Sequence, residues 1–143
     1  MIHRMDRNKT YEFLTNQTVG RLGCVLENDG PYVVPVNYLV REQSIFVHTL
    51  PGKKLDALEA NPKVCLQTDR VDAEGFEWTS VIVFGTFKKI EDDEERLVVL
   101  REIYKRFPQF TPVEATSDIT KASEKIVVFR ISIERLTGVS ESV

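Results

Sequence analysis

A chain of 143 residues with 42% hydrophobic and 29% charged side chains has the size and balance of one globular domain, which argues against disorder and against a division into two domains. Nineteen Lys and Arg against 22 Asp and Glu leave a net charge of -3, with no basic stripe to track a phosphodiester backbone, so no nucleic-acid partner is expected. No apolar run approaches the roughly 20 residues that span a bilayer, and the polar start MIHRMDRNKTYEF lacks the apolar core of a secretion signal, so a cytoplasmic protein with no membrane partner is expected.

Asp6 is placed to cap a helix over Arg7 to Asn16, with Tyr11 and Leu14 on one face and Phe13 beside them. From Thr18 to Glu27 the chain alternates, Leu22, Cys24 and Leu26 against Val19, Arg21, Gly23 and Val25, as a strand does. Asn28-Asp29-Gly30 is a hairpin signal, because Asp-Gly supplies the positive φ angles that primed turns demand. The returning strand, Tyr32 to Val40, carries Pro35, which cannot donate to a ladder and implies an edge, a bulge or the end of pairing. Arg41-Glu42-Gln43 turns the chain into a strand from Ser44 to Thr49.

Gly52 to Glu59 then reads as a short helix with Leu55 and Leu58 as its buried contacts, stopped by Asn61-Pro62. Two lysines at its start are electrostatically misplaced, since the macrodipole and the unpaired amides already make that end positive. A bound anion removes the conflict, so Gly52, Lys53 and Lys54 form a candidate phosphate site. Asn37, Tyr38, His48 and Thr49 precede it and are candidates to hold what the phosphate is attached to. Neither lysine ranks above the other on this ground.

Strands are predicted over Val64 to Asp69 and Phe76 to Ile90, the latter with a bulge or bend at Gly85. A helix starts in the acidic run Glu91 to Glu95 and buries Leu97, Leu100, Tyr104 and Phe107. Phe107 to Pro112 is a stiff aromatic loop, suited to a partner subunit, a ligand or the core alike. Lys125 to Leu136 alternates as a last half-buried strand. About six strands joined by tight turns, with two or three peripheral helices, describe a mainly β, antiparallel barrel in a single domain. Cys24 and Cys65 lie in apolar strand-like runs without C-x-x-C spacing, and with two histidines in the chain no zinc site is expected; both read as buried free thiols. Ser80 has no histidine and acid at triad spacing, so no nucleophilic or other catalytic side chain is named.

The ordered segments L-x(4)-VGRLG (Leu14 to Gly23), PYVVPVNY (Pro31 to Tyr38), IFVHT (Ile45 to Thr49), PGKK (Pro51 to Lys54), NP-x-V (Asn61 to Val64) and W-x-SVIVFGT (Trp78 to Thr86) resemble the pyridoxamine 5′-phosphate oxidase-like split barrels, in the branch of the nitroimidazole-resistance flavoproteins. The resemblance implies a six-stranded split β-barrel forming a homodimer with FMN at the subunit interface. It also implies that Lys53 and Lys54 grip the flavin phosphate, that Pro35, Val36, Asn37 and Tyr38 line the ring and ribityl chain, and that His48 lies beside the flavin. Ser80 and Val81 would approach from the far side. The implied activity is an oxidoreductase passing electrons from a reduced donor through FMN to a small organic acceptor. A non-catalytic flavin-binding or haem-binding module on the same barrel is the alternative, with His48 the first haem ligand to test. The end, RLTGVSESV, lacks the arginine and histidine motif with which the true oxidases hold their substrate, so vitamin B6 oxidation is not implied.

Overall fold

The computed structural model describes residues 1–108 and 126–143. Their order is β1 (Ile2–Arg4), α1 (Arg7–Asn16), β2 (Val19–Leu26), β3 (Gly30–Asn37), β4 (Leu39–Arg41), β5 (Ser44–Thr49), α2 (Lys53–Ala60), β6 (Lys63–Val71), β7 (Trp78–Lys89), α3 (Asp93–Arg106) and β8 (Val127–Glu141). Local chemistry sets most of these limits. The Asp6 carboxylate accepts from the Lys9 amide at 2.8 Å and starts α1, and Asp92 accepts from the Glu95 amide at 3.0 Å and starts α3. Asn28 (φ 66°) and Gly30 (φ 88°) carry the left-handed conformations of the β2–β3 turn.

All pairings are antiparallel, and the strands run in the order β3-β2-β6-β7-β8-β5-β4, with β1 added on β8. The two ends of this order are consecutive in sequence. Asn37 ends β3, Leu39 begins β4, and Tyr38 alone joins them, so the sheet's two edges approach to within roughly 7 Å, two Cα steps. A sheet with its ends so near is curled into a barrel, and one with no ladder between those ends is split. Pro31 lies opposite Val25 and Pro35 opposite Arg21. Neither can donate, so the backbone at 31, 33, 35 and 37 turns away from β2, and that free edge lacks the donors of two of these four residues.

Six strands were expected and eight are present among the described residues. β1 is too short to alternate, and the single strand expected over Tyr32 to Val40 is two, divided where Tyr38 carries the chain to the other edge. The bend expected at Gly85 is a register shift between Phe84 and Gly85 against β8; a Cβ there would lie 1.9 Å from the Ser132 carbonyl oxygen. The main core fills the barrel with Leu14, Leu22, Ile45, Leu58, Leu66, Val83, Phe129 and their neighbours. A second cluster, with Phe46, Leu100, Ile103, Tyr104 and Phe107, joins α3 to the outside of β5 and β8. Phe107 is thus core, while Gln109, Phe110, Thr111 and Pro112 of the expected aromatic loop, and Lys125, lie outside the described residues. Among the described residues no helix is long and apolar enough to cross a membrane.

Candidate functional site

The start of α2 is open to solvent, with its first amides unpaired. Gly52 is its N-cap, with no side chain bonded back to the helix, and a Cβ at Gly52 would meet nothing within 4 Å, so the ground above is open. The first helical bond runs from the Asp56 amide to the Gly52 carbonyl at 3.0 Å. The amides of Lys53, Lys54 and Leu55 therefore have no acceptor within the helix.

The two lysines, one residue apart on the helix, face different surroundings. Lys53 reaches the β2–β3 hairpin, 3.9 Å from the Asp29 carboxylate and 5.8 Å from the centre of the Tyr32 ring, with its side chain 65% exposed. It borders a shallow cavity of about 190 Å³ that also carries Glu27, Asp29 and Asp56, surroundings that repel a phosphate. Lys54 is half-buried, and among the described residues it forms no ion pair. Burial lowers its ammonium pKa from the ordinary 10.5, and its charge is felt at both His48 and Cys24. Burial, with the Lys54 charge second, also lowers the His48 pKa, which keeps the imidazole neutral at neutral pH. That ring stands edge-on to Tyr104 of α3, with centres 5.7 Å apart. Thr49 is half-buried, and its hydroxyl donates to the Leu50 carbonyl at 3.0 Å.

The remaining candidates divide between the two sides of the barrel wall. Tyr38 is 1% exposed and donates its hydroxyl to the Leu14 carbonyl of α1, with its pKa pushed up to about 12 chiefly by burial. Val36 also points into the core. Both offer a ligand their backbone only. Asn37 spends its side-chain amide on the Thr18 carbonyl at 3.1 Å, and Pro35 is exposed on the edge strand. Val81 is fully buried in the barrel, so its neighbour Ser80 points outward.

Ser80 and Lys54 make no contact with each other among the described residues. Lys54 acts on Cys24, which faces the interior beside the rung formed by Gly23, Cys65 and Phe84, and on His48, which stands against α3 on the outside, so it sits at the rim of the barrel. Ser80 lies four residues from Phe84 along β7, roughly 13 Å, on the outer face. On that face Gln67 donates through Nε2 to Asp69 Oδ2 and to Ser80 Oγ, each at 3.0 Å, and Arg21 approaches Asp69 at 3.4 Å. Period-two alternation puts Gln67 and Asp69 on one face of β6, but the link from Gln67 to Ser80 is diagonal and needs the β6–β7 register. Trp78 is half-buried on the same face. Both cysteines are free, but only Cys24 is buried; Cys65 lies opposite Gly23 on the outer face and is half-exposed.

A family model described as pyridoxamine 5′-phosphate oxidase matches residues 6–140. Uncharacterized protein RA0666 of Rhizobium meliloti (strain 1021) is 31% identical over 86 residues, 60% of this chain, and the match spans 56% of that relative's length. A FAD-binding protein (mll6688) from Mesorhizobium loti superposes with a TM-score of 0.82 at 27% identity, over 99% of each chain. A candidate 5-nitroimidazole antibiotic resistance protein from Bacteroides thetaiotaomicron gives a TM-score of 0.77 at 20% identity, over 98% of this chain and 87% of its own, a likeness of fold. With a match along nearly its whole length, the chain belongs to the pyridoxamine 5′-phosphate oxidase family of split barrels.

Proposed function

We propose that this protein is an FMN-dependent oxidoreductase that works as a homodimer and passes electrons from a reduced donor to a small organic acceptor. The observation that carries the proposal is Lys54, a half-buried ammonium with no carboxylate partner among the described residues, beside three free amides at an open helix start. One cation and one helix end match one phosphate, which favours FMN over a dinucleotide. Once bound, the flavin supplies the redox chemistry. Lys54 and the amides of residues 53–55 hold its phosphate, and neutral His48 lies close enough to Lys54 to orient what the phosphate carries.

Ser80 lies on the outer face of β7 and makes no contact with Lys54 among the described residues, and in this proposal the ligand takes the two from two copies of the chain. Exposed Val19, Val25 and Val33 share the outer face with Ser80 and give it an apolar surface suited to such a contact. Protein purified with FMN is expected to be yellow, dimeric in sedimentation, and bleached anaerobically by a reduced nicotinamide. Titration calorimetry is expected to rank FMN above FAD. Protein that takes up neither flavin, or a monomer that holds FMN equally tightly, would overturn the proposal.

A further inference from the structure

We infer that Gln67 is a positioning residue that fixes the hydroxyl of Ser80 as an outward hydrogen-bond donor toward the flavin of the partner copy. The inference rests on the reading above, in which Ser80 meets that flavin.

The chemistry of the three side chains assigns every proton. Asp69 is a carboxylate on the outer face and only accepts. The Gln67 amide group 3.0 Å from it must therefore be the nitrogen, so the orientation of the amide follows from its partner. The same nitrogen is 3.0 Å from Ser80 Oγ, and an amide nitrogen only donates. Both Nε2 protons are thus used, one on Asp69 and one on Ser80. Ser80 is the acceptor in its bond with Gln67, which leaves its own O–H free to donate elsewhere. Among the described residues none accepts that proton.

The strands hold this arrangement in place. Gln67 is opposite Arg21 across β2–β6, Asp69 is opposite Ser80 across β6–β7, and Arg21 anchors Asp69 at 3.4 Å. Three neighbouring strands therefore fix the accepting side of one hydroxyl and turn its proton away from Gln67. The flavin ring presents carbonyl oxygens and unprotonated nitrogens, which are acceptors, and a donor bonded to them strengthens as the ring gains negative charge. Ser80 held in this sense raises both the affinity for FMN and the flavin midpoint potential.

The test is a double-mutant cycle on the full-length protein with Gln67→Met, Ser80→Ala and the pair. Its readouts are the FMN dissociation constant, the midpoint potential and the thermal midpoint, and Gln67→Glu is a second variant that replaces the donor with an acceptor. Each single substitution is expected to weaken FMN about threefold to tenfold, as loss of a neutral hydrogen bond does, and to lower the potential. The double variant is expected to be no worse than Ser80→Ala. Wild-type affinity in Gln67→Met beside an impaired Ser80→Ala overturns the positioning role and leaves the flavin reading intact, as do additive losses. A silent Ser80→Ala in protein that binds FMN also overturns the inference. If wild-type protein binds no flavin, the reading of the previous subsection fails and this inference with it.

Discussion

Lys54→Ala, compared with Lys53→Ala, tests the anion site most directly. A charge-assisted contact to a phosphate is worth about 1.5 to 3 kcal/mol, or roughly a 10-fold to 150-fold change in dissociation constant. The half-buried setting of Lys54 puts its loss toward the upper part of that range, because water screens it less. The amides of residues 53–55 remain in the variant, so some affinity survives. Lys53 differs in kind. Its pair with Asp29 at 3.9 Å joins two exposed side chains, an arrangement worth about 0 to 1 kcal/mol, and Lys53→Ala is expected to leave FMN affinity within about threefold. Titration of flavin fluorescence at fixed ionic strength measures both. The pH dependence adds an independent check. In the proposed site the Lys54 ammonium strengthens binding, and burial lowers its pKa from 10.5, so wild-type affinity is expected to fall as pH rises through that lowered value, earlier than for an ordinary lysine. Lys54→Ala has no such alkaline limb. A Lys53→Ala loss equal to that of Lys54→Ala, or an alkaline limb that persists without Lys54, would refute the assignment.

Tyr38→Phe strands the Leu14 carbonyl inside the core and is expected to cost about 1 to 3 kcal/mol in urea unfolding, while FMN affinity stays within about twofold. A loss of affinity without a loss of stability would return the Tyr38 side chain to the binding surface. Gly85→Ala sets a Cβ 1.9 Å from the Ser132 carbonyl, which forces β7 and β8 apart; a cost of about 3 kcal/mol is expected, and an unchanged melting curve would contradict the bulge geometry. His48, lowered from 6.5 by burial first and Lys54 second, makes stability depend on pH in a definite direction. Below about 6.5 the unfolded chain takes up a proton that the folded chain refuses, so stability is complete above that pH and is lost as pH falls toward the lowered folded value. Denaturation of His48→Asn across this window is expected to show a flatter acid limb; a limb as steep as that of the wild type would mean that other groups produce it.

What could be read before any coordinates was local. Leu22, Cys24 and Leu26 alternate into the barrel, Asp6 caps α1, the acidic run Glu91 to Glu95 starts α3, the Asn28-Asp29-Gly30 run turns the hairpin, although the positive φ beside Gly30 falls at Asn28 and not at Asp29, and Gly85 marks the bulge. What could not be read depended on partners distant in sequence. Nothing in the continuous run from Tyr32 to Val40 signals that Leu39 pairs with Phe46 on the opposite edge. Lys53 and Lys54 look alike until the hairpin brings Asp29 to one of them. Gln67 and Ser80 are 13 residues apart, and only the β6–β7 register shows that one amide serves both Ser80 and Asp69.

The prolines of β3 bear on how molecules of this chain meet in a crowded solution. A strand from another molecule laid along that border would find rungs missing at Pro31 and Pro35, each a main-chain bond it could not make. Lateral growth of the sheet, the first step toward a fibril, is thereby discouraged by two ring-closed side chains. Along this border, pairing of one molecule's edge with another's is the arrangement the two prolines work against.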